Sequence, residues 1–346
     1  MHMADALISP AVGGTFWALS GGLIAWCARK LKQAADDRLV PMMGVLGAFI
    51  FAAQMINFTI PGTGSSGHLG GGLILAALLG PYAGFLVIAS VLAVQALFFA
   101  DGGLLALGCN IFNLGFFPAF IAYPLIYRPL TGSHPTSARI WTGSMLAAVI
   151  GLLLGALGVI GQTMTSGITE LSIATFTALM LPIHLAIGVV EGLASAVVIS
   201  FVARARPAAT ALPAAASRLE PALVGLAVAA LVTGMGASWF ASTHPDGLEW
   251  SISRTTGSAE LAGRSSPVHA QLASLQESTA FLPDYGFAAP EAEATAPGAE
   301  AADAAEPWPS VSAGTSVSGL VGGLLTLAMA GGIGWMIRPG RRAATA

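Results

Sequence analysis

Long apolar runs separated by short polar stretches dominate the chain, at 11–28, 40–56, 69–99, 104–127, 141–161, 173–203, 221–241 and 316–337. About 20 apolar residues suffice to cross a bilayer as a helix, so each run is read as a membrane span. The run 69–99 is too long for one straight crossing, and Gly80-Pro81 inside it is a natural break. The pattern predicts an all-α polytopic membrane protein: a bundle of about seven helices, then two further membrane helices flanking a long polar segment at 242–315.

Charge decides how the 69–99 run is divided. If it makes two spans, the chain crosses nine times. Arg29, Lys30, Lys32, Arg38, Arg128, Arg139, Arg204, Arg206, Arg218, Arg338, Arg341 and Arg342 then share one side, leaving only Arg254 and Arg264 on the other. The positive-inside rule favours that division and places residue 1 outside and the C-terminus in the cytoplasm of a cell (inner) membrane. No basic stretch precedes the first apolar run, so the first span is expected to remain in the mature protein. Residues 206–220, rich in Ala and Pro, read as a cytoplasmic linker between domains at 1–205 and 221–346. Residues 284–309 carry acidic side chains without basic ones and read as a solvated loop.

Composition agrees. Of 346 residues 55% are hydrophobic and 9% charged, too little polar surface for a soluble globule, and the 43 glycines suit close helix packing. The net charge of −3 and the absence of a basic, aromatic-studded patch argue against nucleic acid. Cys27 and Cys109 lie in different apolar runs and are expected to be small buried residues, neither a disulfide nor a metal pair. There is no Gly-x-x-x-x-Gly-Lys-Ser/Thr loop and the only lysines are Lys30 and Lys32, so an ATP site within the chain is not expected. Nor is there a nucleophile-base constellation, and an enzyme is not expected.

The candidate chemistry is at the start. With Met1 retained, as a bulky second residue favours, the terminal amine, the His2 backbone nitrogen and the His2 imidazole form two adjacent chelate rings in one plane. His68, in the Gly62-Thr-Gly-Ser-Ser-Gly-His68 loop, is available as a fourth nitrogen. Deprotonating a backbone amide requires a nitrogen-preferring, square-planar ion, Ni(II) or Cu(II). Asn57, Asp101 and Asn110 are possible supporting residues: Asn57 as hydrogen-bond donor or helix cap, Asp101 as support or turn former, and Asn110 with Asn113 as packing glue or loop clamps. His184 and Glu191 lie two turns apart on one helix, about 10 Å along the axis, and an intramembrane carboxyl suggests function. One ion cannot bridge that gap, so a pairing with another helix or a subunit contact is the better expectation for Glu191. A hydrogen-bonded core role stands as an equal alternative for His184. His134 and His269 are expected at the surface.

Met1-His2-Met3-Ala4-Asp5-Ala6-Leu7, Gly67-His68-Leu69, Gly80-Pro81, Gln95-Ala-Leu-Phe-Phe-Ala-Asp101-Gly-Gly, Gly108-Cys-Asn110-Ile-Phe-Asn113 and His184-Leu-Ala-Ile-Gly-Val-Val-Glu191-Gly together resemble the CbiM/NikM family over residues 1–205. These are the substrate-binding membrane components of energy-coupling-factor (ECF) transporters for cobalt and nickel. His244-Pro245-Asp246-Gly247-Leu248-Glu249 resembles the Pro-Asp-Gly-Leu-Glu signature of the small CbiN/NikN component, so the chain looks like a fusion of the two. Ala4-Asp5-Ala6 departs from the usual continuation of the family's amino terminus, and the acidic insertion departs from a compact second component.

The resemblance implies Met1, His2 and His68 as ligands of a transported Ni(II) or Co(II), with no resident cofactor. It implies a CbiQ/NikQ-like coupling protein and two CbiO/NikO-like ATPase subunits as partners. It is also the basis for setting Cu(II) aside. Nickel is the preferred cargo. A cobalt component serving cobalamin synthesis, and a metal sensor or scaffold without transport, are the alternatives.

Overall fold

The computed structural model describes residues 2–34, 39–205, 220–258, 261, 266–287 and 308–337. Met1, positions 206–219 of the expected linker and positions 288–307 of the acidic stretch lie outside the described residues. The described chain is a helical bundle. Its long members are α1 (Pro10–Ala34), α2 (Leu39–Gln54), α4 (Pro81–Phe99), α5 (Leu107–Thr131), α6 (Ser137–Ser166), α7 (Ile173–Ala205), α8 (Glu220–Met235) and α11 (Ala313–Ile337), with short α3 (Gly72–Leu79) between α2 and α4. Two short helices, α9 (Gly247–Thr256) and α10 (Pro267–Thr279), lie between α8 and α11. The middle of α5, Phe112–Tyr127, is wound in the wider π form around Pro118 and Pro124, each of which removes an N–H from the ladder.

Among the described residues six helices are long and apolar enough to cross a bilayer, and large apolar side chains such as Trp17, Leu157 and Val197 point outward from them. That exposure suits lipid contact, where no water must be satisfied. Inside, close packing rests on small residues. A Cβ on Gly188 of α7 would sit 2.9 Å from the Val149 backbone of α6. One on Gly322 of α11 would sit 1.9 Å from the Phe51 ring of α2. The second part of the chain is thus seated directly on α2 through a glycine contact.

The 69–99 run breaks at Gly80 (φ +81°), with Pro81 opening α4. The expectation of two full spans needs correction, because α3 has eight residues. That is about 12 Å of helix against a core of about 30 Å. Gly84 packs against the backbone at Leu75 and Ala76, placing α3 beside the beginning of α4. The remaining depth, toward the other end of α4, is covered by irregular backbone from Leu69 to Gly71. Non-helical backbone at membrane depth must have its polar groups satisfied by protein, and two buried side chains do this here.

Helix directions sort the connections. His2, the loop between α2 and α3, the α4–α5 turn and the segment between α8 and α11 gather at one end. Arg29, Lys30, Lys32, Arg128, Arg139 and Arg204 lie near the helix termini at the other.

Candidate metal centre

Residues 2–8 lie along the α4–α5 turn as an inserted strap. Met3, Leu7 and Ile8 are buried and anchor it by apolar contact. The Met3 N–H donates to Asn110 Oδ1 (2.8 Å), while its carbonyl accepts from Asn110 Nδ2 (3.3 Å) and from the Gly103 N–H (2.9 Å). Asn110 thus acts as a clamp on the chain end. Its neighbour Asn113 exchanges hydrogen bonds with Gln162 of α6 (2.7 and 3.0 Å), gluing α5 to α6. Asp5 Oδ1 accepts from the Ala106 N–H at 2.9 Å. The Asp101-Gly-Gly sequence now has a steric reason: a Cβ on Gly103 would fall 1.8 Å from Asp5 Oδ1, so only glycine lets the strap approach.

This strap brings His2 to His68, with ring centroids 4.9 Å apart and ring planes inclined by 33°. His2 Nδ1 lies 2.6 Å from Asp101 Oδ1, and its buried Nε2 has no hydrogen-bond partner. The Tyr285 hydroxyl donates to the other oxygen of Asp101 at 2.5 Å. Burial tends to raise the Asp101 carboxyl, but the adjacent His2 and the hydrogen bonds from His2 and Tyr285 outweigh it and hold it well below the ordinary carboxylate range. Asp101 thus meets the His2 ring from the α4–α5 turn. Burial, reinforced by neighbouring positive charge, pushes the His68 imidazole down to about 3. Its Nδ1–H donates to the Leu69 carbonyl (3.0 Å), which fixes the orientation of the ring.

The loop carrying His68 is held from two sides. The Glu191 carboxylate of α7 accepts the N–H groups of Gly70 (2.7 Å) and Gly71 (2.9 Å). The Gln54 amide of α2 donates to the Gly70 carbonyl (2.8 Å) and accepts from Gln95 of α4 (2.9 Å). Gly71 has φ +76°, a conformation that admits glycine at little cost. Glu191 therefore pairs with backbone within the chain. Gln54 was not singled out from sequence. A buried amide on an apolar helix was the available signal, but nothing local said which backbone it would meet.

The second part of the chain completes the walls. The hairpin β1 (Phe58–Ile60) and β2 (Ser65–Gly67) pairs Thr59 with Ser66. The Ser66 N–H donates to the Pro245 carbonyl (2.8 Å) and its hydroxyl to the His244 carbonyl (2.7 Å). Asp246 then caps α9 in a reciprocal box with Glu249. The His-Pro-Asp-Gly motif is in this way stitched to the strand that leads to His68. In α10, Gln276 donates to the carbonyls of Ala96 (2.8 Å) and Gly102 (2.7 Å). His269, expected at the surface, is corrected: its Nε2–H faces the carbonyls of Ile8 (2.9 Å) and Asp5 (3.2 Å), pinning the strap. His134 is exposed, as anticipated. Cys27 and Cys109 are buried free thiols.

These elements enclose a cavity of about 710 Å³ lined by His2, Asn57, His68, Asp101, Asp246 and Tyr285 among others. Among the described residues no three His, Cys, Asp or Glu side chains converge to hold an ion.

Comparison with known proteins agrees with this architecture. Residues 2–209 match the CbiM family, described as the cobalt uptake substrate-specific transmembrane region, and residues 220–339 match the PDGLE domain. A putative fused nickel transport protein NikMN of Archaeoglobus fulgidus is 32% identical over 95% of this chain and 96% of its own length. A probable fused nickel transport protein LarMN of Lactiplantibacillus plantarum is 32% identical over 60% of this chain and 66% of its own. A crystal structure of a transition metal transporter superposes with a TM-score of 0.53 at 26% identity, covering 60% of this chain and 95% of that one. The chain belongs to the CbiM family of multi-pass membrane proteins, joined in one polypeptide to a PDGLE domain.

Proposed function

We propose that this chain is the ion-capturing membrane component of an ECF-type uptake transporter for Ni(II), with Co(II) as a second cargo. The observation that carries the reading is the approach of the His2 and His68 rings to 4.9 Å beside the inserted chain end. Nickel transport by fused relatives and cobalt transport in the family support the choice of cargo.

The ligands are the Met1 amine, the His2 backbone nitrogen, the His2 imidazole and the His68 imidazole. Planar nitrogen coordination with an amidate favours nickel over cobalt. Small chelate rings use His2 Nδ1, so loading exchanges its contact with Asp101 Oδ1 for the ion. Asp101 is then the residue that holds the ring ready beforehand. Asn57, Asp101 and Asn110 support the site, the last by clamping the chain end.

The site faces outward, because the basic helix ends lie at the opposite side and the positive-inside rule puts them in the cytoplasm. Energy for uptake comes from a CbiQ/NikQ-like coupling protein and two CbiO/NikO-like ATPases.

One extra residue placed before Met1 tests the reading by converting the amine into an amide. Nickel titration of the purified protein is expected to lose about 100-fold in affinity or more, roughly 3 kcal/mol. His68→Ala is expected to behave likewise while still inserting in the membrane. Unchanged affinity in the extended protein would remove the terminal amine from the site.

A further inference from the structure

Near the proposed capture site stands a third imidazole, one that the four-nitrogen arrangement does not use. His184 of α7 is fully buried, its Nδ1–H donates to the Met180 carbonyl one turn back (2.8 Å), and its Nε2 has no hydrogen-bond partner. Metal-binding histidines are commonly prepared in this way, because a backbone carbonyl on Nδ1 fixes the tautomer and leaves the Nε2 lone pair outward. An orphaned buried ring nitrogen is costly unless something binds it for part of the working cycle.

His184 helps to wall a cavity of about 10 Å³ together with His68, Gly70 and Asp246. That is about the space a single water requires. His68, whose Nδ1–H is pinned to a backbone carbonyl, and Asp246 of the Pro-Asp-Gly motif are the cavity's other ionisable lining residues. A second cavity of the same size continues deeper, sharing Gly70, Leu114 and Leu152 with the first and ending at Glu191. Both cavities follow the face of α7 that carries His184 and Glu191. Gly247 keeps the upper one open to His184, since a Cβ there would stand 3.3 Å from His184 Cε1.

We propose that His184 is a second, transient nickel ligand: with His68 it forms a two-imidazole station that receives the ion as it leaves the terminal amine and His2. This rests on the capture site proposed above and adds to it a step inward along α7. Because no three metal-binding side chains converge among the described residues, the station holds its ion weakly, as a point of transit should. Sharing His68 between the two positions makes them mutually exclusive, so the intact protein binds one ion.

The test uses nickel alone and the full chain extended by one residue before Met1. Loss of the tight binding component in that protein scores the capture site. A remaining weak, saturable component scores the station, and it is expected to vanish in His184→Ala and in His184→Gln, the latter retaining volume against loss of folding. Absence of any weak component, or its survival in both His184 variants, would overturn the station while leaving the capture site standing. In cells producing the unextended chain with its partner subunits, His184→Gln is expected to lower the maximal nickel uptake rate about 10-fold, with the half-saturating concentration little changed. An unchanged maximal rate would also overturn it.

Discussion

The carboxylate of Glu191, in the middle of α7, accepts the backbone N–H of Gly70 at 2.7 Å, two residues after His68. A second N–H, that of Gly71, reaches the same carboxylate. Each buried N–H stripped of its acceptor costs about 1–3 kcal/mol. Glu191→Ala is therefore expected to lower thermal stability in detergent and to weaken nickel binding by at least about 10-fold through a misplaced His68. Glu191→Gln, which keeps one carbonyl oxygen, should lose less. Equal nickel affinity in Glu191→Ala would show that His68 is placed without this helix.

Tyr285 comes from the segment between α8 and α11, yet it shapes the surroundings of His2. Its ring stacks on Phe99 with centroids 5.1 Å apart and its hydroxyl holds Asp101. Tyr285→Phe keeps the stack and removes one hydrogen bond, worth about 1 kcal/mol. Nickel affinity is expected to fall several-fold, against about 10-fold or more for Asp101→Ala, which loses a negative charge beside the incoming cation. Calorimetric titration of the two proteins would show the order, and a Tyr285→Phe protein as impaired as Asp101→Ala would contradict it.

His68 sets a pH dependence whose sign follows from its burial. Its folded value of about 3 lies below the ordinary 6.5, so between these values the unfolded chain binds a proton that the folded one refuses. Stability is then fully present above pH 6.5 and declines as pH falls toward 3. Asp101, held low, contributes stability above the ordinary carboxylate range and loses it only at stronger acidity. Thermal unfolding of the metal-free protein should thus decline from pH 6.5 downward, and His68→Gln should flatten the decline. Nickel affinity is expected to rise from about pH 6 to 8, because the ion displaces protons from the terminal amine, near 7.7–8.0 in unstructured peptides, and from the His2 backbone amide. Blocking the amine should flatten that rise.

Membrane character, the Gly80 break and the residue types near the chain end were legible because each depends on local pattern. Apolar length predicts helices, Gly-Pro predicts an interruption, and histidine beside a terminus predicts chelation. The length of α3 was not legible. An apolar stretch that is irregular and one that is helical have the same composition, and the acceptor on Glu191 and the donor on Gln54 are what satisfy the irregular form at depth. His269 was read as a surface residue for a related reason: its carbonyl partners, Asp5 and Ile8, lie in the first few residues of the chain, and sequence distance hides such a pairing.

By itself, the order of residues determined that the chain lies in a membrane, that most of its basic residues collect at one end of the bundle, and that Met1, His2 and His68 carry candidate metal-binding chemistry. Hydrophobic transfer and charge bias act residue by residue and need no knowledge of neighbours. Tertiary structure alone decided that Asp101 faces His2, that Glu191 grips the backbone after His68, and that the Pro-Asp-Gly motif closes the same cavity. Each of these is a hydrogen bond or packing contact between distant positions, set by where the helices bring them.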